Sequence, residues 1–387
     1  MASVLAVPAT LLAAWLPGAA AAAPVISAAD DLQARVDAIV AAGAPGAALV
    51  LQDGSAYEAV SSGLANVVAG RELQTGDAFR AGSVTKTFVA TLALQLVETG
   101  ELDLDAVVAD YLPNLLPDGD VITVRQLLNH TSGLFNYNED ENFGAALLAG
   151  EAFTPRELVA YSTSHPLVFA PGTGWAYSNT NYIVLGMIIR ETGDKPIRNQ
   201  IEQRIAAPLG LSRTGFPVYS KRIPGAHASG YVGQVDSGLF NVTTALSPSW
   251  AWAAGSLIST APDLAEFYRS LLGGELVAPD LLEEMKTTVP IDEVYGYGLG
   301  LFEVDLGCGT AWGHDGLFFG YYDMVVSSED GTRQVSLMMN VDPLNGVPPP
   351  DVTVAFSDAL VDAFCADDVG GSLDSVVLPE LSSPAID

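Results

Sequence analysis

The chain has 387 residues, 49% of them apolar, with 38 glycines and 23 prolines; it is a folded chain with room for a large core, not a disordered one. Its 46 acidic residues against 16 basic ones leave a formal charge of −30, which excludes non-specific nucleic-acid binding and docking on anionic lipid. No internal repeat is visible.

In chain order, residues 1–23 read as a secretory signal. Val4 to Leu16 is apolar and Ala19 to Ala23 offers A-x-A cleavage sites, although no lysine or arginine precedes the apolar run. Pro8, Pro17 and the short run disfavour a membrane anchor, and no later stretch is long enough to span a bilayer, so a secreted protein is expected. Asp30 to Ala42 reads as a helix, then Gly46 to Leu51 and Tyr57 to Ser62 as a hairpin turning at Asp53-Gly54. Phe88, Val89, Leu92, Ala93 and Leu96 repeat at helical spacing behind Ser83, with Gly100 as the stop. Helical periodicity and Pro/Gly-rich loops dominate to about Phe240, including a helix over Ile183 to Ile189. A helix over Ala261 to Leu272 follows, then strands over Tyr297 to Val304, Thr310 to His314, Tyr321 to Ser327 and Gln334 to Asn340. A last amphipathic helix covers Val354 to Phe364. The expected fold is α+β: one antiparallel sheet from both chain ends, flanked by helices and carrying a largely helical insertion. The expected divisions are the signal 1–23, a sheet domain of 24–82 and 241–368, a helical domain of 83–240 and a loose tail of 369–387. Cys308 and Cys365 suit an exported chain; either a bridge clamps the last helix to the sheet or the two are unrelated thiols.

Three motifs carry chemistry. Ser83-Val84-Thr85-Lys86 sets a serine and a lysine on one face at a helix N-terminus, where the amine can take the serine proton and the helix dipole favours an oxyanion. The chain has four lysines, so one at this spacing is hardly decoration. Tyr177-Ser178-Asn179 follows a glycine-rich loop: beside a buried lysine ammonium the Tyr177 phenolate would be favoured and could accept the Ser83 proton, with Asn179 fixing Lys86 and a substrate amide. Trp312-Gly313-His314-Asp315-Gly316 places glycines where another backbone can approach a strand edge, with the N–H groups of Leu317 and Ser83 as oxyanion donors. No G-x-S-x-G elbow occurs. His130, His165, His227 and His314 are scattered without H-E-x-x-H or C-x-x-C, so neither a metal nor a cofactor is implied.

Taken in order, S-x-x-K, Y-x-N and H-x-G resemble the penicillin-recognising serine hydrolases. The similarity lies with the branch holding class C β-lactamases, secreted DD-carboxypeptidases, D-aminopeptidases and esterases, and it extends over Ala81–Phe88, Thr123–Leu134, Tyr177–Tyr182, Gly296–Leu301 and Gly313–Gly316. The resemblance implies the β-lactamase/transpeptidase-like fold, Ser83 as acylated nucleophile, Lys86 and Tyr177 as acid/base pair, and Asn179, His314 and Trp250 at the substrate. Secreted DD-carboxypeptidases, the nearest group, also carry a cysteine pair at these two places. A D-alanyl-D-alanine carboxypeptidase is therefore expected, acting as a monomer on a small peptide, amide or ester, a peptidoglycan stem peptide or a β-lactam.

The resemblance breaks where such enzymes grip a C-terminal carboxylate. Phe302 stands at the place of an arginine, Asp315 takes the x of H-x-G, and Leu317 follows in place of a hydroxyl; Arg80, Arg222 or Arg333 would have to substitute. Asp315 and the acidic loop Tyr137–Glu141 would suit a substrate ammonium, as in a D-aminopeptidase or D-amino-acid amidase, or a neutral ester; the loop can equally be solvated surface. A non-catalytic binder of peptidoglycan fragments would have no use for intact Ser83, Lys86 and Tyr177.

Overall fold

The computed structural model describes residues 28–234, 238–343 and 350–365; the expected signal and the tail from 369 lie outside these described residues. Strand β1 (Gly46–Asp53) turns back into β2 (Ala56–Asn66), flanked by the short β3 (Arg71–Glu72). Two short ladders follow, β4 (Phe79–Arg80) with β7 (Ile258–Ser259) and β5 (Tyr231–Gln234) with β6 (Gly238–Asn241). The rest of the sheet is β8 (Val289–Pro290), β9 (Tyr295–Tyr297), β10 (Phe302–Asp305), β11 (Thr310–Phe318), β12 (Tyr321–Ser327) and β13 (Arg333–Met339). Nine strands join in the order β3-β2-β1-β13-β12-β11-β10-β9-β8, every neighbour antiparallel. The two ends of the chain meet at β1 and β13, where Leu49 faces Leu337.

Both faces of this sheet are covered, which is why its central strands are apolar at consecutive positions rather than at alternate ones. Along β13, Leu337 and Met339 join the layer under the first and last helices (Ala28–Ala41 and Pro350–Phe364), with Val36, Ile39, Phe356 and Leu360. Met338 points into the opposite layer, with Leu264, Phe267 and Leu271 of the Ala261–Leu272 helix. That second layer continues into the Thr85–Glu98 and Asn179–Thr192 helices, the latter buried at every residue from Asn179 to Ile189. A helix buried all round is a central strut rather than a surface element. Among the described residues no helix is long and apolar enough to cross a membrane.

The sheet and flanking helices are those expected, with local differences. The run Tyr297–Val304 is two strands: Gly298 N–H donates to the Leu301 carbonyl (2.7 Å) and Gly300 N–H to the Leu128 carbonyl (3.2 Å), so the chain reverses between β9 and β10. β11 continues past His314 to Phe318 because Gly316 and Leu317 pair with Asp323 and Tyr322. The helix expected over Ile183–Ile189 begins at Asn179 and ends at Thr192, and the β5–β6 hairpin was not expected at all.

Cys308 and Cys365 are bonded, with Cα atoms 5.8 Å apart, so the β10–β11 connection is tied to the end of the last helix. The bond closes a span of 57 residues, worth about 4 kcal/mol in the chain-entropy account. Divided by an unfolding entropy of about 2.1 cal/mol/K per residue, Cys308→Ser/Cys365→Ser should lower Tm by roughly 5 °C in a thermal melt. A melt unchanged by the double substitution would show that the covalent tie is redundant.

Candidate active site

The Gly82–Val84 turn delivers the chain into the Thr85–Glu98 helix and leaves Ser83 only 5% exposed and Lys86 fully buried. Hydrogen bonds from three directions fix this turn. Ala81 N–H donates to the Leu257 carbonyl (2.9 Å), the Thr85 hydroxyl to the Gly82 carbonyl (2.6 Å), and Leu257 N–H to the Thr85 oxygen (3.0 Å). Gly82 has φ +44°, and a Cβ there would stand 2.6 Å from the backbone nitrogen of Leu317. From the other side, a Cβ on Gly316 would stand 2.3 Å from the Ala81 carbonyl oxygen. The serine turn and β11 therefore touch backbone to backbone, and glycine at both places permits it.

Ser83 Oγ lies 2.9 Å from Lys86 Nζ, and the Tyr177 hydroxyl donates to the same oxygen at 2.9 Å. Lys86 Nζ also donates to the Ala254 carbonyl at 2.8 Å and sits 4.8 Å from the centre of the Tyr177 ring. Burial pushes the Lys86 amine well below its ordinary value, against a smaller upward pull from Asp315. Burial likewise pushes the Tyr177 phenol well above its ordinary value, helped by Asp315 and opposed by the Ser83 hydrogen bond. Both directions run against a phenolate beside an ammonium: with the two groups out of water, desolvation favours the amine and the phenol.

Asn179 opens the Asn179–Thr192 helix beside this pair, its backbone N–H donating to Asn136 Oδ1 (3.1 Å). It does not hold Lys86 as the sequence suggested; the second partner of the amine is the Ala254 carbonyl, a backbone group that no motif could reveal. His314 is buried, with Nε2 at 2.8 Å from the Tyr297 hydroxyl and Nδ1 at 2.7 Å from the Asp315 carbonyl oxygen. Its ring centre is 6.4 Å from that of Tyr177. Asp315 is also buried, one carboxylate oxygen 3.2 Å from His314 Nδ1, so it is not the open charge on the cleft wall that the sequence suggested. Gly316 is buried, and Leu317 and Trp250 are half-buried, the Trp250 ring lying 5.2 Å from Phe318. The Trp250 carbonyl accepts from the Tyr137 hydroxyl at 2.6 Å.

The acidic loop divides. Asp140 caps the Glu141–Leu148 helix by accepting from Asn142 and Phe143 N–H and meets His165 Nε2 at 2.8 Å, whereas Glu139 is exposed. Phe302 is buried opposite Gly313. Of the arginines that might replace one at its position, Arg80 is buried over the Phe318 ring and donates to the Lys221 carbonyl (2.8 Å), and Arg333 pairs with Asp53. Arg222 is exposed.

Sequence reasoning gave no role to three contributors, the Ala254 carbonyl, Tyr297 and His130, and named Tyr137 only as the start of the acidic loop. His130 is fully buried, its ring centre 4.4 Å from that of Tyr177. Its setting in Leu128-Asn-His-Thr-Ser-Gly133, where a helix gives way to a loop, was the one signal.

The sequence profile of the Beta-lactamase family matches residues 29–356. A D-stereospecific amidohydrolase from a Streptomyces species has a solved structure 38% identical, covering 82% of this chain and 95% of its own, at a TM-score of 0.76. The D-amino acid amidase of Ochrobactrum anthropi SV3 complexed with D-phenylalanine is 28% identical over 86% of this chain and 97% of its own, at a TM-score of 0.77. Esterase EstB of Burkholderia gladioli is 36% identical over 182 residues, 44% of this chain and 46% of the esterase. Among curated sequence relatives, the chain spans 62% of the length of PbpX from Bacillus subtilis. The chain belongs to the Beta-lactamase family and shares the fold of these penicillin-binding-like serine hydrolases.

Proposed function

We propose that this chain is a D-stereospecific amide hydrolase that works through an acyl-enzyme on Ser83. The observation that carries the chemistry is one oxygen, Ser83 Oγ, held at 2.9 Å from both Lys86 Nζ and the Tyr177 hydroxyl. Lys86, neutral through burial, takes the Ser83 proton as Oγ bonds to the substrate carbonyl carbon. The oxyanion so formed faces the N–H groups of Ser83 and Leu317, on the two segments that the glycines bring together. Tyr177, a phenol through burial, gives its proton to the leaving nitrogen as the C–N bond breaks, and the proton taken by Lys86 makes good that loss. Water then attacks the Ser83 ester, the same pair moves its proton, and the acid is released with the enzyme restored. Asn179, Gly316, Leu317 and Trp250 are assigned to the walls of this route, with His314 and Asp315 buried behind them.

Two features favour a D-amino-acid amide over a peptide ending in D-Ala-D-Ala. Phe302 offers no charge to a C-terminal carboxylate, Arg80 is buried with one nitrogen on the Lys221 carbonyl, and Arg333 pairs with Asp53. Losing a charge-assisted grip costs roughly 1.5–3 kcal/mol per contact. The similarity to the amidohydrolase and the amidase points the same way. Carboxypeptidase action is the second reading, favoured by the Cys308–Cys365 bond at the place where secreted DD-carboxypeptidases resemble this chain. Export is proposed with it.

Ammonia release from D-phenylalanine amide, set beside D-alanine release from an N-acyl-D-Ala-D-Ala peptide, tests the choice. The amide should be cleaved with the higher kcat/KM, its L-enantiomer far more slowly, and Ser83→Ala should lower kcat by at least about 10³-fold. A higher kcat/KM on the acylated dipeptide would establish the carboxypeptidase instead.

The charge states add a pH test. Catalysis needs Lys86 as amine and Tyr177 as phenol, and burial moves the first titration down and the second up. The kcat/KM of the wild type should rise on an acid limb well below pH 10, then hold a plateau into alkaline solution. Tyr177→Phe should lower kcat by about 10²- to 10⁴-fold on an amide. A rate that fell from neutrality upwards would place a phenolate, not a phenol, in the resting enzyme.

A further inference from the structure

We infer that His130 is the positioning residue for Tyr177, holding its hydroxyl on Ser83; this rests on the acyl-enzyme reading above. Three successive residues meet His130. The Ala176 N–H donates to its backbone carbonyl (3.2 Å), the Tyr177 ring lies against its imidazole at 4.4 Å and 34°, and the Ser178 N–H donates to its Nδ1 (3.2 Å). The residue that bears the acid is therefore bracketed before, at and after its own position by one side chain and its backbone.

The imidazole is itself held by hydrogen bonds and packing. Asn181 Nδ2 donates to Nδ1 at 2.9 Å, and the Asn181 carbonyl oxygen accepts from the Ser132 hydroxyl. Two N–H donors on Nδ1 require its lone pair, so the hydrogen-bond network assigns the neutral ring with its proton on Nε2. Burial agrees, pushing the imidazole well below its ordinary value, with Lys86 and His314 adding to the push. The Tyr297 ring packs across His130 at 4.8 Å and 63°, and Tyr182 at 5.5 Å. Tyr297 in turn is bonded to His314, so the two histidines of the site lean on one phenol.

The backbone of His130 sits at φ +61°, a left-handed conformation that a non-glycine residue adopts at a cost. The same residue carries a ring nitrogen, Nε2, that is buried and without a hydrogen-bond partner. Packing alone would be better served by an apolar ring. What only histidine supplies is an acceptor for Ser178 and a flat face for Tyr177 at once. A displacement of 1 Å at the acid is worth on the order of 10²-fold in rate.

The test is a double-mutant cycle on the full chain, read as kcat and KM for p-nitrophenyl acetate and D-phenylalanine amide, with thermal unfolding as the control of fold. His130→Phe keeps a ring face and removes the acceptor; on the amide it should lower kcat about 10- to 100-fold with KM within about 3-fold. In a Tyr177→Phe background the same change should cost less than about 2-fold, because the hydroxyl it positions is gone. His130→Asn keeps an acceptor and tolerates the left-handed backbone. It should lose less and be equally silent in the Tyr177→Phe background, and it carries the test if His130→Phe does not fold. A loss that multiplies with that of Tyr177→Phe, a loss confined to KM, or a folded His130→Phe with wild-type kcat overturns the inference while the acyl-enzyme reading stands. A Tyr177→Phe enzyme with unchanged kcat overturns the acid role of Tyr177 itself, and with it the task assigned to His130.

Discussion

A lysine amine without water is the constraint around which the rest of this structure is arranged. Lys86 is fully buried, and a lone ammonium there would be prohibitively unstable, so the group rests as an amine or must be given partners. The partners supplied are few: the Ala254 carbonyl, the Ser83 oxygen and the faces of Tyr177 and Tyr182. None is a carboxylate in contact. The Trp250–Ser256 segment that brings the Ala254 carbonyl to the amine includes Trp252 at φ +33°, and Leu257 just beyond it binds both Ala81 and Thr85. One connection thus fixes the base, the turn of the nucleophile and the start of the helix.

The second constraint is that a strand and a helix N-terminus must touch without side chains between them. In most packed proteins the backbone of a sheet and that of a helix are kept apart by a layer of side chains. Here Gly82 and Gly316 remove that layer, and the ladder from β1 through β13 and β12 sets where β11 lies. The position of Ser83 against Leu317 is therefore inherited from a sheet whose strands come from opposite ends of the chain. That explains why so much of the chain resembles its relatives although so few residues meet at Ser83.

The elements legible in the sequence are those written in local pattern. The helix behind Ser83 shows its apolar stripe, and β13 shows an unbroken apolar run because both its faces are covered. The β9–β10 reversal was hidden because Gly298-Leu299-Gly300-Leu301 alternates like a strand, while its hydrogen bonds, one of them to Leu128, are tertiary. At the site, Ser83, Lys86 and Tyr177 were legible as motifs, but their charge states were not. Burial of the whole group bears on those, and at Tyr177 it favours the phenol over the phenolate. Asp315 was misplaced for a related reason: a residue's position in a motif does not show which way its side chain points.

Asp315 nonetheless has a physical part in the proposed chemistry. Its charge raises the pKa of Lys86 and that of Tyr177 together. For Lys86 this favours the ammonium that forms when the amine takes the Ser83 proton, offsetting part of the desolvation that keeps the amine neutral at rest. For Tyr177 it disfavours the phenolate, so the group that donates to Ser83 keeps its proton until a leaving nitrogen competes for it. A buried carboxylate near both groups thus acts against burial at Lys86 and with burial at Tyr177. A second carboxyl, Asp323, lies across from Gly316 with neither oxygen hydrogen-bonded, and burial together with Asp315 holds it well above the carboxylate range. Burial and Asp315 thus disfavour a second negative charge at Asp323, a charge that would work against an oxyanion at the Ser83 turn.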